Sequence, residues 1–274
     1  MKKKKKRNGM IFELVEQIKT DKITFTVFVL LRAFVIAAMV LSALNRNYEN
    51  LFVCSLSLVL FLVPPFVEKK FAISLPTALE VIILLFIFAA EILGEINSYY
   101  TRFPLWDTML HTINGFLCAA IGFAMVDILN TNTRVKFQLS PFYLSVVAFC
   151  FSMTIGVLWE FFEFFCDMVL HTDMQKDFVV DIISSVALNP DGLNKPVVIK
   201  GITSTAVNGV PLEINGYLDI GIIDTMKDLI VNFVGAAVFS IIGFFYVRSR
   251  GKNKFAKNFI PTVDRNNTEE NGGE

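Results

Sequence analysis

The sequence predicts an all-α, multi-pass membrane protein with six transmembrane helices and a small extracytoplasmic insertion that contains β-hairpins. Hydrophobic residues make up 54% of the chain, and 28 of its residues are phenylalanine. The apolar residues are gathered into blocks of roughly 20 residues, the length that a helix needs to cross about 30 Å of hydrocarbon. Charged residues concentrate between these blocks, at both ends of the chain and in one long segment, residues 168–223.

The apolar blocks give the approximate boundaries of the spans. We expect spans at about 23–44, 51–67, 76–97, 107–129, 141–166 and 225–247. Pro64 and Pro65 are expected to end the second span, because proline disrupts a helix interior. The first block is longer than the roughly 7–15 apolar residues of a signal peptide and lacks a small-residue cleavage pattern, so it is expected to be an uncleaved anchor.

Basic residues predict the orientation of the six-helix membrane domain, residues 23–247. The N-terminal region, residues 1–22, contains an unbroken basic run from Lys2 to Arg7, and the polar tail, residues 248–274, is also rich in lysine. The positive-inside rule therefore predicts that both termini are cytoplasmic. Because a span follows closely, the run from Lys2 to Arg7 favours contact with anionic lipid, and no nucleic-acid partner is expected.

The insertion, residues 168–223, is expected to lie outside the cell as a lid over the membrane domain. Residues 171–185 could form a short amphipathic helix. Further along, Asn208-Gly209 and the segments KPVVIKG (195–201) and LEINGYL (212–218) combine β-branched residues with Asn-Gly pairs. That combination is typical of β-hairpins.

Four pairs of ionisable residues lie one helical turn apart, each in or at the edge of a span. The pairs are Glu91/Glu95, Asp107/His111, Glu160/Glu163 and Asp224/Asp228. Two pairs end spans that run outward and two begin spans that run inward, so we expect all four at one level in the outer half of the membrane. Ionisable groups there cost roughly 2.5–3.5 kcal/mol each, which makes a functional site the default hypothesis.

These side chains suggest a metal site. Carboxylates stacked along one helix face repel one another unless a metal ion, shared protons or a basic partner neutralises them. Carboxylates with one histidine favour a divalent ion, Mg²⁺ or Mn²⁺, with Zn²⁺ as a further candidate. The predicted metal ligands are His111, Glu160, Glu163 and Asp228. The predicted catalytic residues are His111, Glu163 and Asp228, and the supporting residues are Glu91, Glu95, Asp107, Asp224 and Asn232.

Several functions are compatible with this set. The leading hypothesis is metal-assisted chemistry or binding on a lipid-linked or cell-envelope substrate. The alternatives are a proton- or cation-coupled transporter of small solutes and a non-catalytic protein that binds an envelope component or a partner. The sequence contains neither HExxH nor GxSxG, so it does not decide whether the protein is an enzyme.

Some of the ionisable residues also have a purely structural interpretation. Asp107 and Asp224 are well placed as acids at helix N-termini, where the helix dipole favours negative charge. The deeper residues could form a structural polar cluster. Arg32, inside the first span, is expected to pair with Glu91 or Glu80.

Three motifs carry a family resemblance. They are Asp107-xxx-His111-xxx-Gly115, Trp159-Glu160-xx-Glu163 and Tyr217-Leu-Asp-Ile-Gly-xx-Asp224-Thr-xx-Asp228-xxx-Asn232-xx-Gly235-Ala236. Across about 76–247 the chain resembles a bacterial inner-membrane family typified by YjdF, whose members are uncharacterised. It is more faintly similar to VanZ-like membrane proteins, which carry an Asp/Lys-xxx-His helix start and a later Asp-xxx-Asn-xxx-Gly helix. The resemblance implies a location in the bacterial plasma membrane and a cell-envelope role, without implying a reaction.

Overall fold

The computed structural model describes residues 22–71, 73–131, 139–249, 252 and 257–263, so the basic run from Lys2 to Arg7 lies outside the described residues. The helices are α1 (Lys22–Leu44), α2 (Tyr48–Leu60), α3 (Val63–Phe71), α4 (Thr77–Phe88), a π-helix (Ala89–Ile96), α5 (Tyr99–Arg102), α6 (Trp106–Thr131), α7 (Pro141–Leu170), a 3₁₀ turn (Val186–Leu188) and α8 (Ile222–Arg248). The strands are β1 (Ile73–Ser74), β2 (Val179–Val180), β3 (Ile182–Ser185), β4 (Val197–Lys200), β5 (Thr205–Val207), β6 (Val210–Leu212), β7 (Tyr217–Leu218) and β8 (Thr262–Val263).

The predicted fold class is confirmed. In the described part of the chain, six helical segments are long and apolar enough to cross a membrane. They are Lys22–Leu44, Tyr48–Glu68, Thr77–Ile96, Trp106–Asp127, Pro141–Leu170 and Ile222–Arg248. Each overlaps one of the spans expected from the apolar blocks, and short antiparallel strand pairs lie in the insertion.

The second span differs from the prediction at its prolines. The helix is interrupted at Phe61 and Leu62, and α3 begins at Val63 with Pro64 and Pro65 in its first turn. Proline is tolerated there because the N–H groups of the first helical residues have no acceptor within the helix, so a residue without an N–H loses no hydrogen bond. The two prolines therefore begin a new helix and do not end the span.

The chain forms two compact units. The first comprises residues 1–153 and 231–274, and the second comprises residues 154–230. Helices α7 and α8 each contribute residues to both units. The core of the first unit contains Phe123, Leu144 and Phe239, all fully buried.

Helices α6 and α8 lie side by side in the first unit with their backbones in contact. A Cβ atom added at Gly115 of α6 would collide with the carbonyl oxygen of Asn232, and one added at Gly235 of α8 would collide with that of Thr112. Further along, the rings of Phe116 and Phe239 pack edge to face with centroids 5.1 Å apart. Small residues permit this close approach. From the contact of Gly115 with Asn232 to that of Phe123 with Gly243, the contacting residues advance along both helices, so the helices run parallel.

The third span ends in a π-helix. Eight residues, Ala89–Ile96, adopt this form directly after α4 and carry both Glu91 and Glu95. The π-helix stops at Asn97, whose side-chain amide donates to the carbonyl of Ile92 at 2.8 Å. Ser98 follows in a left-handed conformation with φ of 56°. π-Helical segments are rare in proteins, and those that occur are often found at functional sites.

The second unit contains three antiparallel strand pairs, β2–β7, β3–β4 and β5–β6. Asn208 and Gly209 connect β5 to β6 and have φ values of 52° and 81°, as a two-residue type I′ turn requires. This hairpin was predicted from the Asn-Gly pair and is confirmed. The helix considered for residues 171–185 is wrong, because the segment is extended and forms β2 and β3. Its β-branched residues explain the difference, since Val and Ile favour strands.

The C-terminal segment, residues 257–263, packs onto the first unit. β8 pairs with β1, with Thr262 opposite Ser74. Ile260 is 1% exposed and belongs to the same hydrophobic core as Leu75 and Leu79. The sequence predicted only a polar tail for residues 248–274, whereas this part of it contributes to the core.

Candidate functional site

Asp107 and His111 lie on one face of α6, in its first two turns. Asp107 Oδ1 is 3.6 Å from His111 Nε2, which is longer than a normal hydrogen bond. His111 is buried and Asp107 is half-buried. Trp106, the first residue of α6, packs edge to face against Tyr99 with ring centroids 4.9 Å apart. This aromatic contact holds the beginning of α6, and with it the Asp107/His111 pair.

Asn232 lies at the contact between α6 and α8 and is 1% exposed. Its Oδ1 accepts a long hydrogen bond from Asn114 Nδ2 at 3.4 Å, and its Nδ2 is 3.6 Å from the sulfur of Met153. The hydroxyl of Ser152 donates to the carbonyl of Gly115 at 2.7 Å. These contacts tie α6, α7 and α8 together within the first unit, one turn beyond His111 along α6.

Glu160 and Glu163 lie on α7 in the second unit and are both buried. The indole Nε1 of Trp159 donates to Glu163 Oε1 at 2.8 Å. This hydrogen bond orients the Glu163 carboxyl group.

Asp224 and Asp228 are buried on successive turns of α8. Asp224 Oδ2 accepts from the backbone N–H of Lys176 at 2.8 Å. Asp224 thus has a structural partner in the segment that follows α7. Asp228 is 3% exposed, one turn before Asn232 on the same helix.

Asp167, at the end of α7, accepts three hydrogen bonds that the sequence did not reveal. They come from the Thr172 hydroxyl at 2.7 Å and from the backbone N–H groups of Met174 and Gln175 at 2.7 and 2.8 Å. Short polar side chains often accept local backbone N–H groups in this way. Asp167 therefore fixes the chain as it leaves α7.

Asp219 fixes the entry into α8 and was not singled out from the sequence. It accepts from the backbone N–H of Phe178 at 2.6 Å and from that of Ile223 at 2.7 Å. The second contact supplies an acceptor to the first turn of α8, as an N-terminal capping residue does. The sequence signal is the motif Tyr217-Leu-Asp-Ile-Gly, which places an aspartate three residues before Ile222, the first residue of α8.

Asp177 lies in the same part of the second unit and is exposed. Desolvation and the negative charges of Asp173 and Asp219 raise its pKa, against a hydrogen bond from the Gly221 N–H that lowers it. The ionised form of this carboxyl group is therefore disfavoured in the folded unit.

The remaining predicted residues belong to the first unit. Glu91 is half-buried in the π-helix, and Glu95 is exposed. The expected pairing of Arg32 with Glu80 or Glu91 stays a prediction. The Arg32 guanidinium lies over the Phe28 ring, 4.0 Å from its centroid, in a cation–π contact.

Comparisons with known proteins identify the family. No curated protein matches the chain, and no solved structure matches it. The model of a family described as "Predicted membrane protein (DUF2238)" matches residues 27–249, which contain all six spans except the first residues of α1. The chain therefore belongs to the DUF2238 family of predicted membrane proteins.

Proposed function

We propose that Asp107, His111 and Asp228 bind one divalent cation at the beginning of α6 and α8. This ligand set keeps His111 and Asp228 from the sequence prediction and uses Asp107 in place of Glu160 and Glu163. Such an ion would polarise a phosphoryl or carbonyl oxygen and lower the pKa of a bound water molecule.

The register of α6 against α8 carries the proposal. Gly115 lies against Asn232 in the first unit. His111 precedes Gly115 by one turn on α6, and Asp228 precedes Asn232 by one turn on α8. We therefore propose that His111 and Asp228, each one turn before this contact on its own helix, are ligands of the same ion together with Asp107.

The Asp107/His111 geometry fits an ion better than a direct hydrogen bond. Two ligand atoms that each lie about 2.1 Å from a zinc ion at the tetrahedral angle are about 3.4 Å apart. The observed separation of Asp107 Oδ1 and His111 Nε2 is 3.6 Å. Two carboxylates and a neutral imidazole also carry the charge that balances a divalent cation. Three protein ligands leave a coordination position for water or substrate, as in catalytic zinc sites.

Glu163 is proposed as the acid or base beside this ion, with Glu160 as a further carboxylate and Asn232 as an orienting residue. The Trp159 hydrogen bond supports this role for Glu163, since a positioned carboxylate is a suitable general base. Asp224 has a supporting role through its hydrogen bond to Lys176. Glu91 is proposed to add negative potential from the π-helix.

The proposed substrate is a lipid-linked or cell-envelope molecule that reaches the site from outside the bacterial plasma membrane. Two observations support this class. The ligands lie at the ends of apolar spans, where the polar groups of lipids are found. The Asp-xxx-His and Asp-xxx-Asn motifs also resemble those of YjdF-like and VanZ-like proteins.

Metal analysis of the purified full-length protein tests the proposal. We expect about one equivalent of Zn²⁺ or Mn²⁺ in the wild-type protein, and loss of that metal in His111→Ala and Asp228→Asn. His171→Asn is the matched control, because His171 is the second of the two histidines, is exposed and has a φ of 56°, which Asn tolerates. Metal-free wild-type protein after growth with both ions, or equal metal content in all variants, would contradict the proposal.

A second candidate function is cation-coupled transport. The π-helix favours it, because two carboxylates in an irregular part of a span are typical of ion pathways. Uptake of a labelled cation into proteoliposomes, compared between wild type and Glu91→Gln, separates the two functions. A hydrolase without transport activity would show no difference between these samples.

A further inference from the structure

A cavity of about 390 Å³ lies beside the C-terminal segment in the first unit. It is at the opposite end of α8 from Asp228, next to the last residues of that helix. Its lining residues are Ser74, Leu75, Pro76, Tyr246, Lys257 and Ile260.

The cavity has apolar walls held in place by the core. Leu75 and Ile260 are both buried in the main hydrophobic cluster. The neighbouring Phe259 packs edge to face against Phe116, with ring centroids 5.6 Å apart. Backbone pairing of β8 with β1 also fixes the segment. The C-terminal segment therefore forms a well-packed wall of this cavity.

The polar groups of the cavity are hydrogen-bond donors. Ser74 and Tyr246 contribute hydroxyl groups and Lys257 contributes an exposed ammonium group. Tyr246 lies two residues before the end of α8 at Arg248, at the depth where tyrosine typically meets lipid headgroups. These donors can together surround a phosphate group.

Charge favours an anion at this end of the bundle. Arg248 and Lys252 are exposed near Lys257 in the sequence, and all three are basic. Two carboxylates oppose these charges: Asp127 acts electrostatically on Tyr246, and Glu68 accepts from the backbone N–H of Leu75 at 2.7 Å. A basic group beside the bound headgroup contributes about 1 kcal/mol to the attraction of an anionic lipid, and this contribution falls off with distance.

We propose that this cavity binds the headgroup of an anionic phospholipid, with the Lys257 ammonium and the Tyr246 hydroxyl on its phosphate. The apolar walls from Leu75, Pro76 and Ile260 accommodate the glycerol and the first acyl carbons. This combination favours a lipid over a free phosphate ion, because a phosphate ion makes no favourable contact with apolar walls. The site is separate from the proposed cation site.

Lipid titration of the purified full-length protein, followed by native mass spectrometry, tests the proposal. The probes are phosphatidylglycerol, phosphatidylcholine and inorganic phosphate. We expect phosphatidylglycerol to bind more tightly than phosphatidylcholine. Lys257→Gln should lower the affinity for phosphatidylglycerol about fivefold through loss of one cation. Tyr246→Phe should also lower this affinity, without changing the net charge of the protein.

Lys252→Gln is the matched control, because it removes an exposed basic residue that does not line the cavity. Its affinity for phosphatidylglycerol should stay within twofold of wild type, as a rough bound on a screened surface charge. Equal binding of the two lipids would overturn the proposal. An equal loss of phosphatidylglycerol affinity in Lys252→Gln and Lys257→Gln would also overturn it, because that result would indicate a diffuse charge effect. Saturation of the site by inorganic phosphate alone would overturn it as well.

Discussion

Gly115 of α6 lies directly against the backbone carbonyl of Asn232 of α8. No side chain separates the two helices at this point, so their register is fixed by backbone contact. Gly235 makes the reciprocal contact with Thr112 one turn further along α8.

Gly115→Ala is expected to destabilise the protein by about 1–3 kcal/mol, because neither backbone can move away from the added methyl group. In an unconstrained helix the same substitution would stabilise by about 0.5–1 kcal/mol. Thermal unfolding in detergent measures the difference. Gly243→Ala is the control, since the nearest atoms to its Cβ would be side-chain atoms of the Phe123 ring, at 3.0 Å, and not backbone. An equal effect at both positions would show that the contact at Gly115 has no special role.

Two substitutions distinguish the possible ligand sets of the proposed metal site. Asp107→Asn is expected to abolish metal binding, because Asp107 supplies a ligand atom. Glu163→Gln is expected to retain stoichiometric metal and to lose activity instead, because Glu163 is proposed as an acid or base. Elemental analysis of both purified variants provides the measurement. If Asp107→Asn retained its metal and Glu163→Gln lost it, the result would favour the ligand set predicted from the sequence.

Asp167→Ala is expected to release the segment that follows α7, because its carboxylate accepts from Thr172, Met174 and Gln175. Each charged hydrogen bond contributes about 1.5–3 kcal/mol when it is well formed. Limited proteolysis should therefore cleave the variant faster between residues 171 and 178. Asp191→Ala, at an exposed position in the same unit, should leave the rate unchanged.

Asp177 predicts a pH dependence of the second unit. Its folded-state pKa is raised above the ordinary value of about 3.9, so the folded unit binds the proton more tightly than the unfolded chain does. Stability should therefore fall as the pH rises through the folded pKa. Asp177→Asn should remove this part of the pH dependence and slow proteolysis at neutral pH. An unchanged pH profile in the variant would contradict the assignment.

Cysteine labelling tests the orientation. In a background without Cys54, Cys118, Cys150 and Cys166, Ala206→Cys should react with a membrane-impermeant maleimide added to intact cells, whereas Lys252→Cys should react only after lysis. Both positions are exposed, so accessibility does not differ between them. The positive-inside rule motivates this expectation. The reverse pattern would place the insertion in the cytoplasm and exclude an envelope substrate.

The number of spans could be predicted because hydrocarbon thickness requires long uninterrupted apolar segments. The β5–β6 hairpin could be predicted because an Asn-Gly pair adopts positive φ at both residues, as Asn208 and Gly209 do. Residues 171–185 could not be assigned from the sequence, because the same apolar spacing suits a short helix or a strand. The prediction for Pro64 is wrong because proline marks the first turn of a helix as well as its end.

The ionisable residues of the candidate site and the span that carries each of them could be read from the sequence, since one-turn spacing places residues on a common helix face. The folded chain distinguishes among these carboxylates. Asp224 and Asp167 accept from backbone N–H groups, and Glu163 accepts from the Trp159 indole. Spacing within one helix contains no information about such partners, because hydrogen-bond partners and helix register depend on contacts between segments far apart in the chain.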